Sequence, residues 1–175
     1  MRRRANDRER RIGALLRERD IAYESQTHVS FACLDGAKKR AFADFTIYST
    51  ACIVVLEVDQ YQHEGEGYTV LCDCKRMVDV RSAMLAAGNT QPLLWVRYNP
   101  DRFSIDGQRV RVPKARREQQ LMALIQRALS GEMPQQDFGI AYMYYNTDAE
   151  GQPLILQDER YPPELAKSCL ISVAD

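Results

Sequence analysis

Two rhythms of apolar residues alternate along the chain. Between Asp7 and Tyr23, Ile12, Leu15 and Leu16 stand at helical spacing with arginines on the opposite side, and Asn6 or Asp7 is available as an N-cap. This predicts an amphipathic first helix. The rhythm then shortens to two. Thr27 to Leu34 reads as a strand, Asp35-Gly36 as a tight turn, and Lys38 to Tyr48 as the returning strand. On that strand Phe42, Asp44, Thr46 and Tyr48 share one face, while Ala43, Phe45 and Ile47 share the other. Ser49-Thr50 turns the chain into Ala51 to Asp59, apolar on both faces like the central strand of a covered sheet. There Glu57 and Asp59 fall on the face of Ile53 and Val55, where the strand ends.

The polar, glycine-bearing run from Gln60 to Tyr68 predicts a loop. After it, Val70, Cys74, Met77, Val80, Met84 and Ala87 form one helical stripe that stops at Gly88-Asn89. Leu93 to Tyr98 predicts a short strand ended by Asn99-Pro100-Asp101, Asp106-Gly107 a turn, and residues 114–130 a last helix. Helix, three strands, helix, strand, helix implies an α/β fold with a mixed central sheet flanked by helices. Residues 132–175, with IAYMYY, PLILQ and SCLISV, read as a strand-rich, tyrosine-containing extension packed on the domain of residues 1–131.

Composition narrows the setting. A chain of 175 residues with 45% hydrophobic and 27% charged positions suits one soluble globular domain with a proper core. No run approaches the ~18 apolar residues of a membrane span, and MRRRANDRERR is not followed by an apolar signal core. Five irregularly spaced cysteines favour reduced thiols. The expected location is therefore intracellular, cytoplasmic or nuclear, with no membrane partner. The net charge of zero is unevenly spread. From Glu132 onward eight acidic residues face only Arg160 and Lys167, leaving residues 1–131 basic. A basic body suits a polyanionic partner, and the acidic extension suits a protein partner.

Buried carboxylates need a cation or a hydrogen-bonded partner. Asp44 and Glu57, brought together by neighbouring strands, with Asp59 and His63 just beyond, form an oxygen-rich set suited to Mg²⁺ or Mn²⁺. Cys72, Cys74 and His63 offer a zinc alternative, but residues two apart on a helix face different ways, and Cys74 lies in the apolar stripe. Tyr142, Tyr144 and Tyr145 read as a half-exposed edge strand, with stacking on bases as the functional alternative.

In order and spacing, Asp44-Phe45, then Glu57-Val58-Asp59-Gln60-Tyr61-Gln62-His63, then Asp73-Cys74-Lys75-Arg76 resemble the PD-(D/E)xK restriction-endonuclease-like superfamily. Within it they are similar to the Vsr-like branch, including uncharacterised members associated with large DNA viruses and algae. Trp95 to Asn99 supplies the next strand, and the resemblance covers roughly residues 8–105. It implies an αβββαβ core, DNA as partner, and divalent-metal-dependent endonuclease activity in nicking, repair or recombination. It also implies Asp44, Glu57, the Val58 carbonyl and Asp59 as metal ligands, and His63 and Arg76 as further catalytic residues. Arg40, Gln60, Asp73, Arg76 and Arg97 are the expected substrate contacts, and a homodimer is compatible with the pattern. The chain departs from the family at Asp59, where the usual lysine is absent. A non-catalytic nucleic-acid-binding or assembly module on the same fold is the competing expectation.

Overall fold

The Asn6 side chain starts the first helix, α1 (Asp7–Glu18), by accepting hydrogen bonds from the amides of Arg8 and Glu9. The computed structural model describes residues 6–32, 38–63, 69–133 and 136–173, with the side chains of 30–32, 38–41, 63 and 170–173 left outside that description. The Asp35-Gly36 turn lies outside the described residues. Helix α1 stops short of the expected Tyr23 because Asp20 takes a left-handed conformation (φ 56°). The Ile21 amide then reaches back to the Leu16 carbonyl at 2.9 Å, a left-handed cap made without glycine.

Three strands follow, β1 (Glu24–Ala32), β2 (Lys38–Tyr48) and β3 (Ile53–Val58). All six residues of β3 are buried, as its two-sided apolar pattern requires. Thr69 caps α2 (Val70–Ala86) through the Cys72 amide, and the helix ends at Gly88 (φ 88°) with the Asn89 amide bonded to the Met84 carbonyl. Then come β4 (Leu93–Tyr98), a short hairpin of β5 (Phe103–Ile105) and β6 (Gln108–Val110), and α3 (Lys114–Leu129). The Asp106-Gly107 turn of that hairpin has positive φ at both residues, 49° and 70°, the geometry of a two-residue hairpin loop.

The sheet runs β1-β2-β3-β4 and continues into β7 (Phe138–Met143), with β8 (Cys169–Val173) beside it. Strands β1 to β3 pair antiparallel, whereas β3-β4, β4-β7 and β7-β8 are parallel. The chain is thus an α/β protein with a mixed sheet, and β7 lies inside that sheet as a neighbour of β4. PLILQ, expected to be strand-like, contains a 3₁₀ turn at Leu154–Gln157 after Pro153, and α4 (Pro163–Ala166) follows.

Helices cover both faces. On one, Ile12, Leu15 and Leu16 of α1 and Leu121, Met122 and Ile125 of α3 pack on Val54, Leu56, Leu94 and Val96. On the other, Cys74, Met77, Val80 and Met84 of α2 pack on Ile53, Val55, Leu93 and Trp95. Each fully buried side chain of this size contributes about 1.5–3 kcal/mol, so these layers hold the sheet. The crossovers β3-α2-β4 and β4-α3-β7 step the same way across the sheet with helices on opposite faces. They therefore have opposite hands, and one is an exception to the usual right-handed rule. Among the described residues no helix is long and apolar enough to cross a membrane.

Candidate active site

The two carboxylates singled out in the sequence lie near each other where β2 and β3 part, close enough for the charge of Asp44 to act on Glu57. Pairing between these strands runs from Tyr48↔Ile53 to Phe45↔Leu56 and goes no further. In the next position the Asp44 carboxylate replaces the ladder: its Oδ2 accepts the Val58 amide at 2.9 Å. Its Oδ1 accepts from Gln26 Nε2 at 3.2 Å. Gln26 has φ 52°, and its Nε2 also donates to Glu9 Oε2 at 3.2 Å. Helix α1 is thereby tied to the strand opening through one amide. The expected alternation of β2 breaks at this point, because Ala43 packs with the α2 layer while Phe45 and Ile47 pack with the α1 layer. Glu9, Asp44 and Glu57 are all buried.

Glu57, on the α2 face of β3, meets Arg76 of α2, whose Nη1 lies 3.2 Å from Glu57 Oε1. The same Nη1 donates to the Phe42 carbonyl at 3.3 Å, and the guanidinium lies 5.8 Å from the centre of the Trp95 ring. Glu57 Oε1 is buried and, among the described residues, makes no bond of hydrogen-bonding geometry. Burial, aided by the charges of Asp44 and Asp59 and opposed by Arg76 and Arg97, pushes the Glu57 carboxyl up to about 8. In the absence of a further cation this group holds its proton at neutral pH.

Asp59 enters a different network. Its Oδ2 accepts from Arg97 Nε at 2.5 Å and from the Tyr145 hydroxyl at 2.5 Å. Arg97 Nη2 lies 2.7 Å from Asp73 Oδ2, so one guanidinium joins the end of β3 to the first turn of α2. The parallel register sets Arg97 directly beside Glu57, which is how a β4 residue reaches this point. Burial opposes the charge of Arg97, but Asp59 and its neighbours hold its pKa well above the ordinary value. Burial likewise keeps Tyr145 protonated as a donor. Both Asp59 and Arg97 are 0% exposed. Arg97 is consequently placed to position Asp59 and Asp73, with no surface through which to touch a substrate directly.

Of the residues expected at the site, Asp44, Glu57, Val58, Asp59, Asp73, Arg76 and Arg97 converge at this end of the sheet. Gln60 is half-buried in the 3₁₀ turn that follows Asp59. The side chains of Arg40 and His63 lie outside the described residues. Tyr142, Tyr144 and Tyr145, expected on a half-exposed edge, are buried at 1%, 2% and 2% exposure. Tyr142 lies in the internal strand β7, with Tyr144 and Tyr145 just beyond its end, and Tyr142 shares a hydroxyl contact of 3.0 Å with Tyr161. Cys72 is exposed and Cys74 buried, as their helical spacing requires. Gln26 had no signal in the sequence, because its role depends on a positive φ between two polar strand residues. The Tyr145 bond to Asp59 was equally hidden, since β7 joins the site only through the sheet order.

Among the described residues no three of His, Cys, Asp and Glu converge as a self-sufficient metal cluster. Two carboxylates completed by water are what the donor set allows, which is the usual manner of holding Mg²⁺. Glu57 Oε1, buried and without a hydrogen bond among the described residues, fits that use. Compared with known proteins, the chain matches no family model, no curated protein and no solved structure.

Proposed function

We propose that the chain is a divalent-metal-dependent DNA endonuclease built on a restriction-endonuclease-like core. The observation that carries this reading is the parting of β2 and β3 at Asp44, which sets a buried carboxylate beside Glu57 in place of a ladder bond. A structural role alone does not call for Glu57 here, since its burial disfavours the charge and Arg76 only partly offsets this. The αβββα element order and a five-strand run β1-β2-β3-β4-β7 with β2 antiparallel to its neighbours support the same core.

Asp44 and Glu57 would hold the ion. When bound, Mg²⁺ or Mn²⁺ would lower the pKa of an attacking water and neutralise charge on the phosphoryl oxygens. The chain's own groups complete the chemistry. Val58 N–H and Gln26 fix the Asp44 carboxylate, so its orientation is set before substrate arrives. Arg76, a quarter exposed, can exchange its contact with Glu57 for the scissile phosphate. Asp59, held by Arg97 and Tyr145, fixes the end of β3 and the turn that carries Gln60 and His63. His63, whose ordinary pKa of about 6.5 suits proton transfer near neutrality, is the residue assigned to accept the water's proton.

One observation favours the second reading, a catalytically degenerate binding module on the same core. The position of the family's lysine is Asp59, consumed in a buried ion pair, while Arg76 already faces Glu57. Cleavage decides between them. Labelled duplex, nicked, mismatched and single-stranded DNA are incubated with the chain and Mg²⁺ or Mn²⁺. The endonuclease reading expects metal-dependent products that vanish in Asp44→Ala and Glu57→Ala. Metal binding without any product from these substrates supports the binding module.

A further inference from the structure

Away from the carboxylates, on the side of α1 and α3, two adjoining clefts share Asp101 and Arg102. The larger, about 680 Å³, lies between the β5-β6 hairpin and the start of α3, and its lining includes Arg102, Arg109, Arg111, Lys114 and Arg117. The smaller, about 430 Å³, is lined by Arg8, Tyr61 and Gln62 together with the shared residues. Among the described residues, Asp101 is the only acidic one in either lining. Its charge is engaged: Oδ1 pairs with Arg8, and Oδ2 accepts the Tyr61 amide at 3.1 Å.

The cations divide into two kinds. Arg117 is buried and structural, donating to the Asp101 carbonyl at 2.6 Å and the Asn99 carbonyl at 3.1 Å. Arg102, Arg109 and Arg111 are exposed and form no ion pair among the described residues. Lys114 lies 3.7 Å from Glu118, which also pairs with Arg11 at 3.0 Å. Helix α3 has no acid in its first turn, so cations gather at the positive end of its dipole. Such an arrangement is unfavourable until an anion arrives.

Tyr61 gives the clefts a second chemistry. It is 63% exposed, its backbone is held at φ 52°, and the Arg8 guanidinium lies 5.4 Å from its ring centre. An outward aromatic ring in a cleft that also carries the unpaired Arg102 is the combination that single strands use, bases stacking on the ring while phosphates follow the charge. Cleft volumes of roughly 300–1,000 Å³ suit one or two ligand-sized units, the scale of nucleotides in a strand.

We infer that these clefts form a track for single-stranded nucleic acid, with Arg102, Arg109 and Arg111 on the phosphodiester backbone and Tyr61 stacking on a base. The track adjoins the carboxylate end of β3 in the chain: Tyr61 and Gln62 of its smaller cleft follow Asp59 and Gln60, and Arg8 precedes Glu9. It deepens the nuclease reading by naming the substrate form, an unpaired strand entering from the α3 side.

The test uses the full chain in EDTA, so that binding is read without cleavage. Fluorescence anisotropy follows a labelled oligothymidylate of about a dozen nucleotides and a duplex of matching length between about 50 and 200 mM salt. The strand should bind more tightly than the duplex. Arg109→Ala and Arg111→Ala should each flatten the log-log salt dependence by about 0.7. Tyr61→Asn, which tolerates the positive φ, should weaken strand binding about tenfold, while Tyr61→Phe retains it. Equal or tighter duplex binding, an unchanged salt slope in the arginine variants, or an indifferent Tyr61→Asn overturns the inference. The two proposals fail separately. Intact strand binding with no cleavage in Mg²⁺ removes the nuclease and leaves the track; metal-dependent cleavage indifferent to Arg109, Arg111 and Tyr61 removes the track alone.

Discussion

Replacing Arg97 by methionine tests whether Asp59 is held by the fold, as the geometry indicates. The guanidinium contacts Asp59 at 2.5 Å and Asp73 at 2.7 Å, and the Asp59 and Arg97 side chains are both 0% exposed. Arg97→Met keeps most of the volume and removes the cation shared by two buried carboxylates, Asp59 keeping Tyr145 as donor and Asp73 its 4.0 Å approach to Arg76. Removing one member of a buried ion pair costs about 3–5 kcal/mol, a large share of the 5–15 kcal/mol that stabilises a typical domain. Asp59→Asn leaves Arg97 its bond to Asp73 and should cost less, about 1–3 kcal/mol. In urea, with a slope of about 1–3 kcal/mol per molar, Arg97→Met should lower the midpoint by more than about 1 M. The double variant should be less destabilised than the two losses added, since each single change removes the same contact. A loss below about 1 kcal/mol in Arg97→Met, or strict additivity, refutes the reasoning. The same variants bear on the metal: if Asp59 only positions the strand end, folded Asp59→Asn keeps its Mn²⁺ affinity within about tenfold.

Glu57 should make the metal-free chain less stable as pH rises. Its carboxyl is raised from 4.5 to about 8, so the folded state holds a proton that the unfolded state has released, and stability falls progressively across that window. The full effect is at most about 5 kcal/mol, and Glu57→Gln should flatten the melting temperature between pH 5 and about 8; an equal pH dependence in variant and parent contradicts the assignment. Asn99 is fully buried, donating to the Tyr144 carbonyl at 2.7 Å and accepting the Asp101 amide at 2.8 Å. Asn99→Ala should therefore cost about 2–3 kcal/mol in chemical denaturation, and a neutral result would show that the β4-β5 turn does not depend on it. If His63 accepts the proton of the attacking water, His63→Ala should slow cleavage and change its pH dependence, whereas an unchanged pH profile discards that role.

The parts of the fold legible in the sequence are those whose apolar period is long and unbroken. The α2 stripe, the buried run of β3 and the α3 stripe all formed where expected because no local chemistry competes with them. The end of α1 was misread because Asp20 supplies a left-handed cap that glycine normally supplies. The β5-β6 strands are three residues each, too short to show a period. PLILQ is apolar enough for a strand, yet Pro153 precedes a 3₁₀ turn there. In the site, the β2-β3 hairpin was legible and sets Asp44 near Glu57, although the alternation of β2 breaks at Asp44. What it could not give was the fate of Asp59, which depends on Arg97 from β4 and Tyr145 beyond β7. Those partners are fixed by parallel registers between strands far apart in the chain, and no local pattern encodes them.

The central claim is that Asp44 and Glu57 share a divalent cation. Anomalous diffraction from a crystal soaked in Mn²⁺ measures this directly. The account predicts one peak between the two carboxylates, with oxygens at about 2.1 Å, that disappears in Asp44→Ala. No peak there, with the Arg76 guanidinium still against Glu57, would contradict it.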